Sequence, residues 1–166
     1  MLVIKWCGQK MMGSDIGVIA PYAAQISLLG RLLKANAGYR KQLEGLLGPL
    51  RAMQVANVEV KTVDGFEGRE KDVVIFSTVR NNARGHIGFL ADRRRMNVGL
   101  TRARRGLFVV GSVGTLRREG GAGVGRDGRG DEGDVWVRYV DWMRENGAVK
   151  VLKGETLARI LNVSHL

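Results

Sequence analysis

A chain of 166 residues is long enough to bury one core of ordinary size and too short for two. With 45% apolar and 26% charged residues, and no apolar stretch near the roughly 20 residues that a bilayer requires, the composition is that of a globular protein and predicts no membrane span. Twenty-seven Lys and Arg against 16 Asp and Glu leave +11 at pH 7, a surplus that favours a polyanionic partner, nucleic acid first, through counterion release.

The opening MLVIKWCGQKMMG is interrupted by Lys5 and Lys10 and lacks a small-residue cleavage site, so no secretory leader is expected. One cysteine, Cys7, and two histidines make neither an internal disulfide nor a structural zinc site, which fits a reducing compartment. From Asp15 to Gly111, short β-branched runs alternate with amphipathic stretches, the signature of a parallel α/β sheet. IGVIA (16–20) reads as a strand that ends at Pro21. The next stretch sets Ile26, Leu29, Leu32 and Leu33 at helical spacing. A second helix around 42–53 carries Leu43, Leu46, Leu47 and Leu50 but is broken by Gly45, Gly48 and Pro49.

VEVKTV alternates as a strand, DGFEGRE turns, and DVVIFSTV is nearly continuous in apolar residues, as a central parallel strand should be. After the loop NNARGHIG, residues 92–103 read as a helix with Met96, Leu100 and Ala103 on the core stripe and Arg95 and Arg102 on another. LFVVG is the last strand. Residues 119–134 are glycine-rich and charged and read as a surface loop. It ends at Asp134, an N-cap for a helix through VWVRYVDWMREN whose Val137, Val140 and Met143 face the sheet. The expected organisation is a core over 1–118, the loop over 119–134, and a C-terminal helix and tail over 135–166.

IGVIAPYAAQ (16–25), VEVKTVDGFEGREKDVVIFSTVRNN (58–82) and IGFLADRRRMNVGLTRARRGLFVVGS (87–112) resemble, in order and spacing, the late motifs IV, V and VI of superfamily 1 helicases. The nearest group is the branch acting in nonsense-mediated decay and transcription termination. The resemblance covers roughly residues 3–118 and implies the second RecA-like domain of such an enzyme: a P-loop NTPase superfamily fold with a mainly parallel sheet flanked by helices. It also implies a first strand that precedes Met1, and a nuclear or cytoplasmic site.

By the same resemblance, Arg102 is the arginine finger that reaches the γ-phosphate of ATP. Gly68 and Glu70 meet the nucleotide, and Thr62 and Tyr22 meet single-stranded RNA or DNA. Arginine suits the first task because its planar fork stays charged and donates several hydrogen bonds. Both VDGFEGRE and TRARR fall at junctions between elements, and the ligands of open α/β sheets bind at the carboxyl ends of strands. Each assignment has a plainer reading: a solvated helix end for Arg102, an ordinary strand threonine for Thr62, a packed turn for Tyr22. Glu67 stands where the family usually has Gln, and a carboxylate near triphosphate or RNA is repelled unless a cation such as Arg69 or Lys71 pairs with it. Ile26 stands where some members have a second arginine sensor.

No G-x-x-x-x-G-K-[ST] occurs, and no apolar strand ends in paired acids, so ATP and its magnesium would be held mainly by a first RecA-like domain, a required partner. These 166 residues alone are expected not to hydrolyse ATP. A non-catalytic module that binds nucleic acid or a protein partner is the alternative. A dinucleotide-binding Rossmann domain is set aside because no G-x-G-x-x-G follows a predicted strand.

Overall fold

The computed structural model describes residues 11–122 and 134–152. Four parallel strands form one sheet: β1 (Ile16–Ala20), β2 (Glu59–Thr62), β3 (Lys71–Ser77) and β4 (Ala103–Val110), in the order β2-β1-β3-β4. β1 pairs with β2 on one side and with β3 on the other. DVVIFSTV therefore holds an interior position, and Val73, Val74 and Phe76 are buried there. A run without polar alternation suits a strand covered on both faces.

β1 leads through Pro21 and Tyr22 into α1 (Ala23–Lys34). α2 (Ala37–Leu47) and α3 (Pro49–Gln54) follow, divided at Gly48, whose positive φ of 78° and the proline after it produce the expected break. α2 is capped by Asn36, whose side chain accepts from the Tyr39 N–H at 2.8 Å. No residue of α1 is fully buried. Its predicted stripe of Ile26, Leu29, Leu32 and Leu33 is half-buried.

The other face of the sheet holds the main core, in which Ile19, Val74 and Phe76 meet Phe66, Ile87, Leu90, Met96, Leu116, Trp136 and Val140. These come from the loop after β2, from the turn at Gly88–Ala91, and from α4 (Arg93–Leu100), α5 (Val113–Ala122) and α6 (Asp134–Glu145).

Three expectations are corrected. α4 stops at Leu100, and Ala103 begins β4, so Arg102 is not on a helix and shares no stripe with Arg95. α5 runs to Ala122, into the stretch read as loop from 119; residues 123–133 of that stretch lie outside the described residues. On α6 the fully buried side chain is Trp136, with Val140 beside it, while Val137 and Met143 are half-buried. The Trp136 ring stacks on Phe76 at 6.1 Å, and its indole N–H donates to the Leu90 carbonyl at 2.8 Å. Among the described residues, no helix is long and apolar enough to cross a membrane.

Candidate nucleotide-coupling and nucleic-acid site

The predicted site residues divide between the two ends of the sheet. Tyr22 and Thr62 lie at the carboxyl ends of β1 and β2. Gly68 and Glu70 precede β3, and Arg102 precedes β4, so these three lie at the amino ends. The expectation that every functional loop gathers at the carboxyl ends is therefore corrected. VDGFEGRE starts at one end, beside Thr62, and finishes at the other, beside Arg102. Phe66, completely buried midway, pins it to the core.

At the amino end, Arg102 is half-buried. Its Nε donates to the Val98 carbonyl at 3.0 Å, one of the carbonyls left over at the end of α4, and its Nη2 donates to Thr101 Oγ1 at 2.8 Å. Nη1 has no partner among the described residues. The other two arginines of TRARR are engaged differently: Arg104 Nε lies 3.1 Å from Glu70 Oε2, and Arg105 Nε lies 3.6 Å from Asp72 Oδ2. The register slips between Lys71–Ala103 and Val73–Gly106, placing one extra residue in β4 at this point. That bulge leaves Arg104 and Arg105 both exposed, where a regular strand would alternate. Of the three arginines, Arg102 alone meets no carboxylate among the described residues.

Gly68 takes a positive φ of 71°, and a Cβ there would meet nothing within 4 Å, so its glycine serves the backbone turn and leaves open space above it. Glu67 is exposed, and the two cations that could pair with it, Arg69 and Lys71, both meet Glu59 instead. Arg69 pairs with Glu59 at 2.8 Å and Lys71 with the same carboxylate at 3.1 Å. Burial pushes the Glu59 carboxyl up, but the Lys71 hydrogen bond and the charges of Lys71, Arg69 and Lys61 outweigh it and hold the group below its ordinary value.

At the carboxyl end, the Thr62 hydroxyl accepts from the Gly65 N–H at 3.1 Å, closing the first turn of the loop. Tyr22 accepts a hydrogen bond from Arg80 Nε at 2.7 Å, and the same guanidinium lies 5.1 Å from the ring centroid. Phe89 meets Tyr22 edge to face at 5.5 Å, and Arg95 lies 5.0 Å over Phe89 while gripping Asp64 through two nitrogens at 3.1 and 3.3 Å. Sequence reasoning missed Arg80 and Phe89. The available signal was five arginines against one aspartate between positions 80 and 95, with an aromatic among them.

A parallel sheet with a bound-arginine junction at one end and a basic, aromatic surface at the other defines a RecA-like α/β domain of the helicase type. A family model described as an AAA domain matches residues 2–114. Helicase sen1 of Schizosaccharomyces pombe is 40% identical over 149 residues, covering 90% of this chain and 7% of that protein. ATP-dependent helicase NAM7 of Saccharomyces cerevisiae is 44% identical over 104 residues, 63% of this chain and 10% of that protein. DNA polymerase alpha-associated DNA helicase A of the same yeast is 43% identical over 107 residues, 64% of this chain and 13% of that protein. The chain belongs to this AAA domain family, within the superfamily 1 helicases of the branch acting in nonsense-mediated decay and transcription termination. It spans about a tenth of the length of these curated relatives.

Proposed function

We propose that the chain is the C-terminal, ATPase-coupling and nucleic-acid-binding domain of an ATP-dependent helicase and that Arg102 is its arginine finger. The observation that carries this reading is the difference among the arginines of TRARR. Arg104 and Arg105 meet carboxylates, while Arg102 is oriented by two neutral oxygens and keeps Nη1 unpartnered among the described residues. A guanidinium fixed in this way presents full positive charge with little reorganisation, which is what stabilising charge in phosphoryl transfer requires. The open turn at Gly68 and the Glu70–Arg104 pair beside it supply room and polar groups for a nucleotide. ATP, with magnesium held by a first RecA-like domain, supplies the transferable phosphoryl group. On this side, Arg102 orients and neutralises, and Gly68 and Glu70 contact the nucleotide.

Thr62 and Tyr22 mark the nucleic-acid side in the same reading. VDGFEGRE joins the two sides as one strap, so a shift at Gly68 or Glu70 reaches Thr62 through a segment pinned at Phe66. Thr62 acts chiefly by shaping this strap, and Tyr22 by supporting Arg80.

The test is Arg102→Ala in the full protein that carries this chain. Strand-stimulated phosphate release should fall about 10³- to 10⁵-fold with strand affinity nearly unchanged. Arg102→Lys should restore little, because it keeps the charge and loses the fork. Turnover within a few-fold of wild type, together with weakened strand binding, would move Arg102 to the nucleic-acid surface.

A further inference from the structure

Four side chains from four segments form a ladder at the carboxyl end of the sheet: Arg80, Tyr22, Phe89 and Arg95, alternating cation and ring, with successive centres 5.1, 5.5 and 5.0 Å apart. The two rings are not equivalent. Tyr22 is half-buried, with its hydroxyl engaged by Arg80, whereas Phe89 is 52% exposed although Arg95 already lies over it. A phenyl ring left this open, with Arg80 and Arg95 on either side of the pair, is not serving the core.

The backbone is built to hold the ring there. Gly88 takes a positive φ of 57°, which glycine adopts without strain, and a Cβ on it would stand 2.9 Å from the Tyr22 hydroxyl and 3.0 Å from Arg80 Nη2, pushing both tips of the ladder aside. Leu90, next to Phe89, is buried and gives its carbonyl to Trp136, which ties the far side of the turn to the core. Asp64 grips Arg95 through two nitrogens, fixing its guanidinium. Val79, just before Arg80, is itself at a positive φ of 64°. The surroundings of Phe89 are thus over-determined while the ring stays open.

We propose that Phe89 is a base-stacking residue: its exposed ring receives one base of a single strand, and Arg80 and Arg95 on either side of the Tyr22–Phe89 pair meet the flanking phosphates. The chemistry fits because every base has a π-face, whereas an exposed phenyl ring offers nothing to a phosphate. Alternating rings and guanidinium groups therefore recognise a strand with its bases turned inward, without regard to sequence. This inference rests on the reading that the carboxyl end of the sheet binds nucleic acid.

The experiment measures fluorescence anisotropy of the 166-residue chain with a labelled oligouridylate of about 12 nucleotides and with the same sugar-phosphate strand lacking bases. The wild type should prefer the base-bearing strand. Phe89→Ala should weaken that strand by about 5- to 150-fold, the range for one stacked base, and leave the base-free strand within about 2-fold. Phe89→Trp should retain the preference and Phe89→Leu should lose it, which separates stacking from mere apolar contact. Melting curves of all variants verify folding. Equal affinity of the wild type for the two strands, or equal loss on both in Phe89→Ala, overturns stacking while leaving nucleic-acid binding intact. If the wild type binds neither strand, the underlying reading falls and this inference falls with it. Unchanged strand binding in Phe89→Ala also overturns it and assigns the exposed ring to a protein surface.

Discussion

At the end of β3 the chain accepts a conformation that its side chain opposes. Val79 is β-branched, yet its φ is 64°, and the Arg80 N–H bonds back to the Thr78 carbonyl at 2.6 Å, closing a three-residue turn. Beside it Thr78 is completely buried and its hydroxyl has no hydrogen-bond partner among the described residues, another unfavourable feature within two residues. Such departures each cost of order 1–3 kcal/mol and persist where the surroundings impose them. Here the result is Arg80, turned onto Tyr22. Because Val79 is 38% exposed and stands outside the core cluster, Val79→Gly should relieve more strain than the packing it loses and stabilise the fold by about 1 kcal/mol, raising the melting temperature by about 2–4 °C. The same substitution should loosen Arg80 and weaken strand binding. A melting temperature that falls would show that Val79 carries no net strain.

Among the elements, α6 depends most on one residue. Trp136 contributes a fully buried ring stacked on Phe76, an edge contact to Tyr139 at 6.0 Å, and the donor that satisfies the Leu90 carbonyl. Trp136→Ala should destabilise by about 3–5 kcal/mol in urea unfolding, whereas Trp136→Phe, which keeps a ring and leaves the carbonyl unpaired, should cost about 1–3 kcal/mol. The pattern of α6 was legible, but this anchor was not. By spacing Trp136 shares one helical stripe with Val140 and Met143, but the reading of 137, 140 and 143 passed over it, and its partner, the Leu90 carbonyl 46 residues away, leaves no local signal.

The same contrast runs through the other elements. The strands at 16–20, 59–62 and 71–77 were plain from β-branched runs that turn residues bound. The end of α4 was not, because Leu100 and Ala103 continue a helical period across a boundary set by the pairing of β4 with β3. In the site, the residues of each motif were legible because they adjoin in sequence. The ladder was not: 58 residues separate the hydrogen-bonded Tyr22 and Arg80. Glu59, which takes both Arg69 and Lys71 from Glu67, likewise lies outside the motif whose charges it settles.

In the whole molecule, the proposed function gives the two ends of the sheet different tasks, each with its own cations. α4 carries Arg95 at one end, and Arg102 follows its last turn at the other. Eight helical residues span about 12 Å, and the Debye length is about 8 Å at physiological ionic strength, so exposed cations at one end contribute little to ion binding at the other. Binding of oligouridylate should therefore weaken steeply with salt, and the slope should report only the carboxyl end. Arg80→Gln, which removes one phosphate partner, should reduce the log-log salt slope by about 0.7, the increment for one phosphate on a single strand. Arg102→Ala removes the same formal charge and should leave the slope unchanged. Anisotropy titrations across a salt series compare the two directly. If both substitutions flatten the slope alike, the strand runs over both ends of the sheet, and the division between a nucleotide side and a nucleic-acid side does not hold. If neither does, the phosphates are met elsewhere on the +11 surface, and Arg80 only braces Tyr22.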